Sequence, residues 1–92
     1  MLSAIVQARL GSKRLPAKSM MDICGKPMLG RVLDRVKSVI ESVIVATPDL
    51  AIHDYSLDYG VLGYIGDENN VLDRYYKAAS EFGVDTIVRI TA

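Results

Sequence analysis

"LSAIVQARLGSKRLPAK" occupies residues 2–18 of a 92-residue chain. Its first part, Leu2–Ala8, is short, apolar and partly β-branched, which predicts a buried strand. Then the character changes. Between Gln7 and Lys18 stand Arg9, Lys13, Arg14 and Lys18, with Gly11 and Ser12 among them and no acid. A phosphate-binding loop needs small residues so that backbone N–H groups can approach oxygens, and cations to offset the charge. Gly11 and Ser12 supply the first. Arg14 and Lys18 supply the second, Arg9 and Lys13 assist, and Pro16 stiffens the loop between them. Arg grips phosphate in a bidentate way, whereas Lys acts as a mobile point charge.

The rest of the chain alternates between strand and helix patterns. "MMDICGKP" (20–27) predicts a brief extended piece ending in a turn at Gly25. From Pro27 onward, Met28, Leu29, Val32, Leu33, Val36, Val39 and Ile40 recur at helical spacing. They predict an amphipathic helix of about four turns with Pro27 at its first position. "SVIVAT" (42–47) is a second strand that stops at Pro48-Asp49. Residues 49–59 are assigned to a helix with Leu50, Ile52, Tyr55 and Leu57 as its buried positions. "GVLGYIG" (60–66) reads as a third strand. "DENNVLDRYYKAASEFG" (67–83) reads as a helix, with capping candidates at Asp67–Asn70, an apolar face at Val71, Leu72, Tyr75, Tyr76, Ala79 and Phe82, and a stop at Gly83. "DTIVRIT" (85–91) is a fourth strand. Strands 1, 2 and 4 are apolar enough to be buried on both faces. The order β-α-β-α-β-α-β then argues for a parallel sheet with helices on both sides. Ligands of such sheets sit beyond the carboxyl ends of the strands, where the strand order switches. The basic loop leaves strand 1 at that end.

Composition narrows the partners. The chain is half hydrophobic, so it can bury a core, and its length allows one domain. No apolar run approaches the ~20 residues that span a membrane, and the N-terminus lacks the basic flank of a secretory signal. A single cysteine, Cys24, cannot form an internal disulfide, so a reducing, cytoplasmic location is expected. One His and one Cys exclude an internal structural zinc site. Net charge is zero, yet residues 1–37 hold eight bases and two acids, and residues 38–92 hold three bases and nine acids. That asymmetry points to an anionic ligand near the N-terminal half. A nucleic-acid partner would call for more aromatics and a basic face, and a membrane partner is likewise not expected. G-x-x-x-x-G-K-[ST] and G-x-G-x-x-G are both absent, which excludes a Walker loop and disfavours dinucleotide binding.

The blocks Gln7-Ala8-Arg9, Gly11-Ser12, Arg14-Leu15-Pro16, Lys18, "DICGKPM" (22–28), "VIVAT" (43–47), "VLDRYYKAA" (71–79) and "IVRITA" (87–92) occur in one order along the whole chain. Together they resemble the sugar-activating cytidylyltransferases. The nearest likeness is to the spore coat polysaccharide biosynthesis protein F family, with the acylneuraminate and deoxy-manno-octulosonate cytidylyltransferases as relatives. The resemblance implies a Rossmann-like α/β fold of the nucleotide-diphospho-sugar transferase type, with a mostly parallel sheet and helices on both faces. It implies transfer of CMP from CTP to a sugar with release of pyrophosphate. It places residues 1–92 as the N-terminal nucleotide-binding portion of a single nucleotidyltransferase domain, truncated at its C-terminus.

By the same resemblance Arg14 and Lys18 are the catalytic cations. Gln7, Ala8, Arg9, Gly11, Ser12, Lys13, Ala46 and Thr47 bind the nucleotide, the first two and last two lining the base pocket. Asp73 and Arg74 lie on the substrate side, against the plainer reading of an exposed helical ion pair. Mg2+ is the expected cofactor, with its ligand, an Asp, beyond Ala92. Two departures stand out. Ala17 occupies a position where the family has glycine, and the chain stops one residue before that acid. The 92 residues alone are therefore expected to bind nucleotide weakly and to turn over poorly or not at all. The alternatives are a non-catalytic nucleotide- or polyanion-binding fragment, or a nucleotidyltransferase using another NTP. A half-sheet ending in an uncovered strand also predicts a homodimer or other self-association. His53 and Cys24 read as structural residues, and Tyr75 and Tyr76 as residues packed on the sheet.

Overall fold

A computed structural model of the chain describes residues 2–9, 20, 22–23, 25–66, 71–83 and 86–91, with backbone alone at Ile23, 71–73 and Thr91. Six strands and three helices follow in order: β1 (Leu2–Gln7), β2 (Asp22–Ile23), β3 (Lys26–Pro27), α1 (Met28–Lys37), β4 (Ser42–Thr47), α2 (Leu50–Tyr59), β5 (Leu62–Ile65), α3 (Val71–Glu81) and β6 (Thr86–Thr91). The large sheet has the order β5-β4-β1-β6 and every pairing in it is parallel. β2 and β3 form a separate antiparallel pair around the turn at Gly25.

The strand order explains the two layers of helix. The chain steps from β1 to β4 to β5 in one direction, then returns past β1 to β6. With right-handed crossovers, that reversal moves the helix to the opposite face. Accordingly, Leu29, Leu33 and Val36 of α1 and Ile52 of α2 share one core with Ala4, Val6, Val43 and Val45. Tyr75, Ala78 and Ala79 of α3 share the other with Ile5, Ile44 and Ala46. The period-2 alternation along β1 and β4 thus divides two apolar sets between two faces. The reversal also fixes the topological switch between β1 and β6.

The observed elements correct several expectations. α1 ends at Lys37, about one turn early, and Pro27 caps it rather than entering it. The Ser38 hydroxyl donates to the Arg35 carbonyl at 2.6 Å, occupying an acceptor of the last turn. Val39, expected on the buried face, is consequently 82% exposed. On α2, Ile52 is buried as expected and Tyr55 half-buried, but Leu50 and Leu57 face solvent, and Ser56 takes the buried place instead. Ser56 is tolerated there because its hydroxyl donates to the Ile52 carbonyl at 2.8 Å. Tyr76 is exposed while Tyr75 is buried. β6 is not covered on both faces. It lies at the sheet edge, with Val88 and Arg89 exposed. The capping candidates Asp67–Asn70 lie outside the described residues. Gly83 ends α3 at φ +65° and Gly60 ends α2 at φ +107°, a left-handed conformation that Gly adopts without a Cβ penalty.

One polar cluster ties the β2–β3 hairpin to both helices of its layer. Asp34 accepts from Lys26 Nζ at 2.8 Å and from the Tyr59 hydroxyl. Lys26 also sits over the Tyr59 ring at 5.9 Å. The hydrogen bonds from Lys26 and Tyr59 hold the Asp34 carboxyl below its ordinary value. Desolvation, together with the bond to Asp34, pushes the Tyr59 hydroxyl up to about 12. Gly30 leaves space for this contact, since a Cβ there would meet the Tyr55 hydroxyl and would sit 2.8 Å from Lys26 Cγ.

Candidate functional site

At the carboxyl ends of the central strands, backbone from three segments comes together. Gln7 lies beside Ala46 on one flank and Thr91 on the other. The ladder continues past the strands: the Ala8 amide donates to the Ala46 carbonyl at 3.3 Å, and the Gly66 amide to the Thr47 carbonyl at 3.0 Å. The Thr47 hydroxyl accepts the Asp49 amide at 3.1 Å, which turns the chain out of β4 toward α2. Four of the residues expected at the site, Gln7, Ala8, Ala46 and Thr47, therefore share one rim and are all buried. Arg9 follows directly and is exposed. Met20, the next described residue, packs against the core shared with α1. Gly11, Ser12, Lys13, Arg14 and Lys18 fall between those points and lie outside the described residues, as does the side chain of Asp73.

Arg74 belongs to the same rim. Its residue is 2% exposed, and its Nε donates to Gln7 Oε1 at 2.7 Å. Arg74 is therefore not on an exposed helical face, and it makes a buried contact with the end of β1. Its stem passes Gly66, where an added Cβ would lie 2.7 Å from Arg74 Cγ and 3.0 Å from Tyr64 Cε2. The side chain thus reaches from the first turns of α3, past the end of β5, to β1, with β4 between. The part played by Gly66 was missed from sequence. Its signal was a glycine directly after an apolar strand, but nothing local says that it faces an arginine eight residues on. Tyr75, next along α3, donates its hydroxyl to the Ile90 carbonyl at 3.3 Å and lies under Arg89, whose guanidinium is 5.6 Å from the ring centre. It braces β6 against α3.

Of the other chemical candidates, His53 stays apart from this rim. His53 packs on β5, its ring 2.7 Å from where a Cβ on Gly63 would stand, and its Nδ1 is buried without a hydrogen bond among the described residues. Cys24 lies outside the described residues. No group of three His, Cys, Asp or Glu converges among the described residues. That part of the molecule offers no metal cage, and its residues can bind and position instead. Among the described residues no helix is long and apolar enough to cross a membrane.

Comparison with known proteins gives consistent likenesses. The family profile described as Cytidylyltransferase matches residues 3–92. The 3-deoxy-manno-octulosonate cytidylyltransferase of Parabacteroides distasonis is 39% identical over 90 residues, covering 94% of this chain and 36% of that protein. A solved cytidylyltransferase from Leptospira borgpetersenii serovar Hardjo-bovis superposes with a TM-score of 0.86 at 34% identity, covering 98% of this chain and 40% of the other. A solved CMP:2-keto-3-deoxy-manno-octonic acid synthetase complexed with CTP gives 0.87 at 28% identity, covering 98% and 39%. The chain thus spans less than half the length of each of these relatives.

Proposed function

Because the chain belongs to the cytidylyltransferase family, we propose that the protein serves transfer of a cytidylyl group from CTP to a sugar hydroxyl, with release of pyrophosphate. The sugar oxygen attacks the α-phosphorus. The bond from that phosphorus to the bridging oxygen breaks, pyrophosphate leaves with the electron pair, and the hydroxyl proton passes to solvent. The observation that carries the reading is positional. The basic loop follows β1 in sequence, and β1 ends where the described sheet reverses its strand order. The likeness to a synthetase solved with CTP supports the choice of nucleotide.

In this reading Arg14 and Lys18 balance charge on the transferred and leaving phosphates, and amides near Gly11 and Ser12 approach the phosphate oxygens. Arg9 and Lys13 add positive potential at the entrance. Gln7, Ala8, Ala46 and Thr47 lie under the base. Asp73 and Arg74 are the substrate-side residues of this proposal. Mg2+ is the divalent ion of this proposal, held in part by the triphosphate itself, as this ion commonly is. The acceptor is an acidic sugar of a surface or spore coat polysaccharide, in keeping with the relatives that act on 3-deoxy-manno-octulosonate.

The test is a comparison of four nucleoside triphosphates with magnesium, read by thermal unfolding. CTP is expected to raise the midpoint most, with UTP, GTP and ATP well behind. Equal shifts from all four would refute the choice of CTP, and a shift from inorganic polyphosphate as large as that from CTP would favour a plain polyanion site.

A further inference from the structure

We propose that the outer faces of α1 and α2 together form a self-complementary docking surface for a second copy of this chain, closed by a two-fold axis. The proposal does not draw on the CTP reading and goes beyond it.

The two helices lie side by side in one layer, packed on Ala4, Val6, Val43 and Val45. A Cβ on Gly30 would meet the Tyr55 hydroxyl, and one turn further on the Tyr59 hydroxyl donates to Asp34. Both contacts join positions 25 apart, so the helices run in the same direction in that register. The faces they turn to solvent carry opposite charge. On α1, Arg31, Arg35 and Lys37 are exposed. The one acid of α1, Asp34, accepts from Lys26 and Tyr59, and Arg31 lies near enough to help hold its carboxyl down. On α2, Asp54 and Asp58 are exposed, and the helix contains no Lys or Arg. The half-buried His53 has its Nδ1 3.9 Å from the Asp54 carboxylate. A face that only needs solvation gains nothing from sorting its charges by helix, and mixed signs serve it better.

The spacing matches as well as the sign. Arg31 and Arg35 stand four residues apart, as do Asp54 and Asp58, so each pair shares one stripe of its helix. Leu50 and Leu57 belong to the acidic stripe, at 64% and 51% exposure, and Val39, at 82%, follows the basic one. A two-fold axis in the contact plane, parallel to the helices and between them, sets α1 of each copy on α2 of the other. Such an axis leaves height along the helices unchanged. In the observed register Arg31 and Arg35 then come within about two residues, ~3 Å of rise, of the levels of Asp54 and Asp58. An arginine side chain spans that difference. A perpendicular axis would set basic face on basic face, which like charge opposes. Each Arg–Asp pairing occurs twice, and the contact closes without open growth. The exposed leucines and Val39 supply its apolar part.

Sedimentation equilibrium of the 92-residue chain, from micromolar to millimolar concentration, tests this. The wild type should dimerise, and high salt should weaken the dimer. Arg35→Glu and Asp58→Lys should each weaken self-association about 10-fold or more, because like charges then meet twice. Mixed in equal amounts, the two variants should associate again, since every contact then pairs opposite charges. The chain carrying both substitutions should dimerise as wild type does. Val88→Ser, on the exposed edge strand β6, should leave the dimer unchanged. If either reversal fails to fold, Arg31→Glu and Asp54→Lys serve as the second pair. A wild type that stays monomeric at millimolar concentration in low salt overturns the proposal. So does a dimer that both reversals leave intact, or a mixture that does not associate again. A dimer lost on Val88→Ser would place the contact at the sheet edge and overturn it too.

Discussion

Lys18→Ala is expected to reduce CTP affinity by about 10- to 100-fold, the loss that follows from removing one charge-assisted contact of about 1.5–3 kcal/mol. Lys18 ends the basic loop that begins at Arg9, and no acid within that loop offsets its charge. The effect is large enough to see by thermal unfolding. With CTP at one hundred times its Kd, the bound state gains about 2.7 kcal/mol. In a domain of this size each kcal/mol is worth about 4–8 °C, so wild type should gain about 10–20 °C. A hundred-fold weaker variant gains only about 0.4 kcal/mol at the same concentration, by the same relation, or about 2–3 °C. Protection of Lys18→Ala equal to that of wild type would remove Lys18 from the phosphate site.

Ile44→Ala is expected to cost about 4 kcal/mol of stability, near the upper end for such truncations. Ile44 is fully buried in the middle of β4, paired with Ile5 of β1 on one side and Leu62 of β5 on the other. The core around it sets Ala46, Ala78 and Ala79 beside Ile5 and Tyr75, with Tyr64, Phe82 and Ile87 packed against it. Alanines have no side-chain freedom with which to fill a void, so the cavity would persist. A folded chain of 92 residues has roughly 5–14 kcal/mol in total, and the variant would retain a fraction of it. Urea denaturation should show a midpoint lower by about 2 M or more at a typical m value. Ile44→Val should lose about 1 kcal/mol, and Leu50→Ala, on an exposed face, less than about 0.5. A loss at Ile44→Ala no greater than at Ile44→Val would contradict the rigid packing of α3 on the sheet.

The sequence carried the architecture because its apolar periods are clean where layers meet. "SVIVAT" stands as β4 over the residues expected, and β1, β5 and β6 lie within the expected runs. What the periods could not show is where a helix stops when a serine takes its last carbonyl, which is why Val39 was misplaced. Nor could they show that Ser56, rather than Leu57, turns inward, because its hydroxyl pairs within its own helix. Sheet order was not legible, because the crossover rule gives the hand of a connection and not the neighbour it reaches, whereas β6, expected as an uncovered last strand, does lie at the edge of the described sheet. For the site, the strand-end residues Gln7, Ala8, Ala46 and Thr47 were found from motif blocks and do converge. The Arg74–Gln7 contact spans 67 positions, and the gap at Gly66 that permits it is visible only in three dimensions.

The most direct test of the account is to map backbone amide shifts by NMR as CTP and magnesium are added to the isotope-labelled chain. The account predicts the largest changes along Gln7–Lys18, at Ala46 and Thr47, and at Gly66, all at the carboxyl ends of the strands. An open cleft of about 290 Å³ lies at the opposite ends of β4 and β5, lined by Lys37, Glu41, Ser42, Val43, Gly60, Val61 and Leu62. Shifts centred on that cleft, with the strand-end rim silent, would contradict the account.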